Sequence, residues 1–244
     1  MRTRILLLLA LWCVPGVACA RVWTFGAAAG SSIPNLRDRG GNEISGGWST
    51  RVAPYGGVRA ETKLSERVFV RAELSYVAQG GKRDGLQAVP DASAFGAPPG
   101  TTLYARFRNV AKLDYLELPL LAGLAFDHDR LFVAGGPYAG WLIAAHNETS
   151  GHSPIYADAA GTQEVAPEQD FGATTNDRAD LRVWNVGLQL GIGGGLPIAA
   201  GSVTWDLRGE LGFINLQKDP ANGRNGTGCV VLALGYGWPT HAAR

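Results

Sequence analysis

Three stretches of this chain alternate apolar and charged residues with a period of two, and all three put their charges on one side. Val58, Ala60, Thr62 and Leu64 oppose Arg59, Glu61 and Lys63. Val68, Val70, Ala72, Leu74 and Tyr76 oppose Arg71, Glu73 and Ser75. Val203, Trp205, Leu207, Leu211 and Phe213 oppose Thr204, Asp206, Arg208 and Glu210. Alternation of this kind places successive side chains on opposite faces of a β-strand. Five further segments fit with less contrast: Trp23–Ala29, Leu116–Leu124, Leu131–Ala145, Trp184–Ile192 and Val230–Trp238. In Leu131–Ala145, apolar on both faces, Val133, Ala139, Trp141 and Ile143 are assigned outward. Eight strands result.

The connections between these strands alternate in length. Tight turns are expected near Ser65-Glu66, near Phe126-Asp127-His128-Asp129 and at Ala199-Ala200-Gly201. Between them run long segments, about 31–51, 81–106 and 147–180, with a shorter one at 217–224. Alternating long loops and tight turns mark an outer-membrane barrel, with the tight turns and both termini on the periplasmic side. The uncharged run 183–205 is long enough for a spanning helix, but it holds six glycines, Pro197, Asn185 and Gln189, and each glycine costs about 1 kcal/mol in a helix. Pro197 and Ala199-Ala200-Gly201 read instead as a turn between strands.

The amino terminus is an address. Arg2 and Arg4 precede an apolar run, Ile5 to Val14, and Ala18-Cys19-Ala20 forms a small-residue cleavage site, so residues 1–20 read as a secretory signal peptide. Ten apolar residues are about half of what a membrane-spanning helix needs. Processing there leaves one of the three cysteines, Cys229, and hence no internal disulfide. The formal charge of +1 leaves no basic footprint for nucleic acid.

Periodicity alone does not say which face is inside; the aromatic residues do. With a periplasmic amino terminus, Trp23, Trp205, Tyr236 and Trp238 fall at the lower rim, and Tyr55, Tyr76, Trp141, Trp184 and Phe213 at the upper. Two aromatic girdles around an apolar outer band are the arrangement of a membrane barrel. The fold expected is therefore all-β, an eight-stranded antiparallel up-and-down transmembrane β-barrel over 21–238, with 239–244 as a short tail. Its charged face then lies within. Eight strands enclose just enough room for side chains to fill, so Arg59, Glu61, Lys63, Arg71, Glu73, Glu117, Asp206, Arg208 and Glu210 are expected to form a paired ion network that plugs the lumen.

Four stretches resemble the PorT type of bacterial outer-membrane β-barrel protein, over about residues 21–238. They are Glu73-Leu74-Ser75-Tyr76 with Gln79-Gly80-Gly81; Leu113-Asp114-Tyr115-Leu116-Glu117-Leu118-Pro119-Leu120-Leu121; Gly136-Pro137-Tyr138-Ala139-Gly140; and Leu234-Gly235-Tyr236. The sequence departs from that family at its end, where Trp238 is followed by Pro239 to Arg244 instead of closing on an aromatic. The resemblance implies an outer-membrane barrel and no single activity; one branch of the family takes part in protein secretion.

No Walker loop or nucleophile elbow is present. Gly191-Ile192-Gly193-Gly194-Gly195 falls in a strand and turn, not before a helix, so it is no phosphate cradle. His146, His152 and Asp158 match no metal spacing. His146 with Ser150 or Ser153 is the sole candidate for a rim enzyme acting on lipid, and a solvated histidine is the reading preferred. No catalytic residue, metal or cofactor is expected. The role expected is a structural or surface-interaction barrel with its long loops as the contact surface; the alternatives are a passive porin for small solutes and a rim-located lipid-modifying enzyme. Expected partners are outer-membrane lipid, the barrel-assembly machinery and an extracellular or periplasmic protein.

Overall fold

The computed structural model describes residues 22–40, 45–89, 92–127, 130–198, 200–219 and 223–240. The signal-peptide segment 1–20 and the last four residues of the tail lie outside them. Eleven strands follow in order: β1 Trp23–Asp38, β2 Ala53–Lys63, β3 Val68–Ala88, β4 Tyr104–Phe126, β5 Leu131–Ser150, β6 His152–Tyr156, β7 Glu164–Asp170, β8 Ala173–Asn176, β9 Trp184–Ile198, β10 Gly201–Gly212 and β11 Asn225–Pro239. Eight of them, β1 to β5 and β9 to β11, pair antiparallel with their neighbours in an up-and-down ring. The ring closes where β1 meets β11, from Thr24 opposite Pro239 to Asp38 opposite Asn225. Closure leaves the ring without an open edge, as lipid requires. Among the described residues no helix is long and apolar enough to cross a membrane; residues 184–198 are strand throughout, and the glycine run 191–195 lies wholly within β9.

The strand ends that bound the three tight turns fall where expected; His128, Asp129 and Ala199, which belong to two of those turns, lie outside the described residues. Between β2 and β3 the Ser65 hydroxyl accepts a hydrogen bond from Val68 N at 3.1 Å, so the side chain closes the turn itself. Between β4 and β5, Asp127 takes a left-handed conformation (φ 47°), which Asp tolerates better than most residues. The long connections differ from expectation. Strands β1 and β3 continue well past the expected loop starts, β5 passes its own by three residues, β4 begins just inside the expected loop end, and the third connection folds into β6, β7 and β8. Strand β6 extends β4 beyond the ring, β7 pairs with β6, and β8 pairs with β5. The wall is thus uneven: β3 and β4 have 21 and 23 residues against 11 and 12 in β2 and β10. A strand of ~9–11 residues suffices to cross the bilayer.

The apolar face points outward. Leu190 and Leu234 are 67% and 66% exposed, whereas Glu117 and Asp206 are 0% and 5% exposed. Glycines of β9 serve the opposite, inner face. A Cβ on Gly191 would strike Arg208, and one on Gly193 would strike the Phe132 ring, so these glycines make room for large inward side chains.

Candidate functional site

The interior is layered from the tight-turn end upward. Phe69, Leu121, Ala125, Phe132 and Ala134 form the lowest layer, with Phe69 and Phe132 edge to face at 5.5 Å. The Arg71 guanidinium lies over both rings, 4.7 Å from the Phe132 centroid. Here the ion pairs begin.

Arg59 Nη1 sits 3.1 Å from Asp206 Oδ2, and its Nη2 donates to Thr204 Oγ1 at 2.8 Å. Arg71 reaches the other oxygen of the same Asp206 at 3.2 Å and Glu61 at 2.8 Å. Arg208 Nη1 meets Glu73 Oε2 at 2.6 Å, and its Nη2 donates to the Tyr55 hydroxyl at 3.3 Å. Residues 59 and 61 come from β2, 71 and 73 from β3, and 206 and 208 from β10, so all of these bonds except Arg71–Glu61, a cross-strand pair of β3 and β2, tie strands that are not neighbours in the ring. One level up, Gln79 Nε2 donates to Glu117 at 2.8 Å, and Gln189 Nε2 to Glu210 at 2.9 Å and Glu117 at 3.4 Å. Charges buried this deeply are tolerated only when paired and hydrogen-bonded.

Eight of the nine charged residues expected in the lumen are brought together. Lys63 is not: it shares their phase, opposite Phe69, but β2 ends there and the side chain is exposed at the tight-turn mouth beside Ser65 and Arg67. Among the aromatics, Tyr55 requires a correction. It is buried, with its hydroxyl 3.4 Å from Glu73 Oε2, and therefore lines the lumen instead of the upper membrane rim. The reason is parity: Tyr55 shares the odd-numbered face of Arg59 and Glu61. Trp23, Trp205, Tyr236 and Trp238 gather on the outer face at the tight-turn end, with Tyr236 stacked on Trp238 at 6.0 Å. Tyr76, Trp141, Trp184 and Phe213 ring the opposite end, with Trp141 stacked on Trp184 at 5.9 Å. Tyr76 donates to Asp114 at 2.8 Å, as an interfacial tyrosine with one wet end does.

Of the uncharged members of the network, the sequence assigns Tyr55 to the rim and Thr204 to the charged face without a role, and it offers Gln79 and Gln189 no place in the lumen. Tyr55, Gln79 and Thr204 each sit an even number of positions from a lumen charge on their own strand, which is the signal that finds them; β9 holds no charge, so Gln189 carries no such signal. A catalytic pair is not assembled. The Ser153 hydroxyl is buried and accepts from Arg106 N at 2.9 Å. Ser150 lies four strand residues from His146, about 13 Å along β5. Among the described residues no group of three His, Cys, Asp or Glu is placed to hold a metal ion.

An antiparallel ring with a lipid-facing apolar band, aromatic girdles and charges turned inward defines an outer-membrane β-barrel. A family model, the outer membrane protein beta-barrel domain, matches residues 18–218, and the chain belongs to that family. Among solved structures it is similar to Ail, the attachment invasion locus protein of Yersinia pestis, at 10% identity over 88% of this chain and 99% of that one, TM-score 0.38. It is similar also to Neisserial surface protein A, at 10% identity over 88% and 96%, TM-score 0.37. No curated protein matches the chain.

Proposed function

We propose that this protein is a non-enzymatic, non-conducting outer-membrane barrel whose lumen is plugged by its own ion network and whose role is carried by the wall that rises above the ring. The observation that carries the reading is the cross-lumen pairing of Arg59, Arg71 and Arg208 with Asp206 and Glu73. These bonds span the interior between β2–β3 and β10, above the apolar layer of Phe69, Leu121 and Phe132. Export through the segment 1–20, insertion by the barrel-assembly machinery and a place within the PorT-like branch belong to the same proposal. So does the girdle role of the aromatic residues.

The contact surface in this reading is the β6–β7 hairpin. Residues 151–177 carry Asp158, Glu164, Glu168, Asp170 and Asp177 and contain no Lys or Arg. Strand β7 lies at one end of the sheet order, so one of its edges is available to an added strand. A basic extracellular protein segment fits that edge. Planar-bilayer recordings test the core of the proposal: the protein is expected to give no large, stable conductance. A steady open channel in the wild type overturns it and restores the porin alternative.

A further inference from the structure

The outer mouth of the barrel holds a cup that the ion network does not use. Its floor is the apolar layer of Leu36, Leu113, Leu181 and Leu216, with Trp48 packed against it. Its cavity volume is about 120 Å³, a little under the ~150 Å³ apolar cavity that admits benzene. Around the floor stand Asn109 and Asn147, from β4 and β5, and the Trp48 indole from the connection between β1 and β2. Among the neutral side chains of this lining, three buried polar atoms have no hydrogen-bond partner among the described residues: Trp48 Nε1, Asn109 Oδ1 and Asn147 Oδ1. Asn109 is only 4% exposed. A buried polar atom without a partner is costly, and three of them around one apolar floor are a recognition pattern waiting for its complement.

The geometry points to a binding site for a small apolar molecule that ends in a neutral amide-like group. The pattern of two acceptors and one donor sets the head: it must give two hydrogen bonds and receive one, as a primary carboxamide does. These three atoms are neutral dipoles; Arg83 and Asp177 also line the cup, so a charged head is the competing reading and benzoate is its control. The leucine floor takes the body, where burying apolar surface is favourable by about 25 cal/mol per Å². The Arg83 guanidinium, 5.1 Å from the Trp48 ring centroid, fixes the face that the indole turns to the cup.

Benzamide is the probe, since it joins a flat apolar ring to this head. The protein, embedded in lipid nanodiscs, is titrated with it while tryptophan indole N–H resonances are followed by NMR; Trp48→Phe assigns the Trp48 signal. The Trp48 resonance is expected to shift saturably, with the other tryptophan signals unmoved. Asn109→Leu keeps the volume and removes the acceptor, and is expected to weaken binding about tenfold, the value of one hydrogen bond. Asn147→Leu repeats the test from the neighbouring strand. Unchanged outer tryptophan signals and heat-modifiable gel migration show that each variant is folded. The proposal is overturned if no saturable shift occurs, which means the cup holds only water. It is overturned equally if Asn109→Leu and Asn147→Leu both bind as the wild type does, or if benzoate binds as well as benzamide.

Discussion

Strand β4 passes through two solvents, and its lower and upper halves solve the same problem in opposite ways. In the lower half the outward residues are Leu116, Leu118, Leu120 and Leu124, all exposed, and the inward ones include Tyr115 and Glu117, both fully buried. In the upper half the outward positions are Arg106, Arg108 and Lys112, and the inward ones are Ala105, Phe107 and Leu113. The alternation never slips between them; the odd residues face in from end to end. What changes is the surrounding medium. Where lipid wets the wall, leucine costs nothing outside and charge is forced within, to be neutralised by partners. Where water wets it, the ordinary rule returns, and Phe107 stacks on Phe171 at 4.8 Å beside Ile155 in a small core.

The sharpest way to break that contrast is to unpair a lumen charge. Arg208→Met leaves Glu73 without its closest cation, and a loss of about 3–5 kcal/mol is expected in urea unfolding from lipid vesicles. Adding Glu73→Gln in the same chain should recover most of it, because the buried charge goes with its partner. Next in size is a charge on the greasy face. Leu118→Arg at mid-wall is expected to cost about 2–4 kcal/mol by the same assay. The mirror substitution higher on the same strand, Arg108→Leu, should change stability by less than about 0.5 kcal/mol, since that position already faces water. A large cost at Arg108 would move the lipid boundary upward.

The smallest effect belongs to the hairpin tip. The Asp158 carboxylate accepts bonds from Thr162 N at 2.9 Å and Gln163 N at 2.7 Å. These bonds, led by that from Gln163, hold its pKa below the usual aspartate value. Their contribution is complete above about pH 4, the ordinary value, and fades as pH falls through the lower folded one. Amide exchange at Thr162 and Gln163 should therefore quicken in acid relative to neighbouring amides. Asp158→Asn should flatten that dependence.

Much of this was readable in the residues. Charges repeating every second position on three segments marked the strands and their two faces, the two sets of aromatics told which face is inner, and the spacing of the turns gave the count in the ring. Tyr55 was legible too, by parity with Arg59, but its residue type suggested a rim. The wing was harder to see. Strand β6 is only five residues long, and β7 and β8 are short, polar and mostly or wholly exposed, so no burial imprints a period on those two; β4 and β5 offer an edge to β6 and β8, and β6 offers one to β7. The cup escaped altogether, since Trp48, Asn109 and Leu181 are far apart in the chain and only closure of the ring brings them to one place.

The uneven rim has a consequence for visibility at the cell surface. At ~3.3 Å per residue and a ~45° tilt, the 21 residues of β3 climb about 50 Å, roughly twice the ~25 Å apolar band. The 12 residues of β10 climb about 28 Å by the same geometry and stop near the headgroups. An antibody or phage arriving through a saccharide layer would therefore meet one side of this molecule long before the other. Surface variation that escapes such binders should collect on the tall quarter and spare the low one.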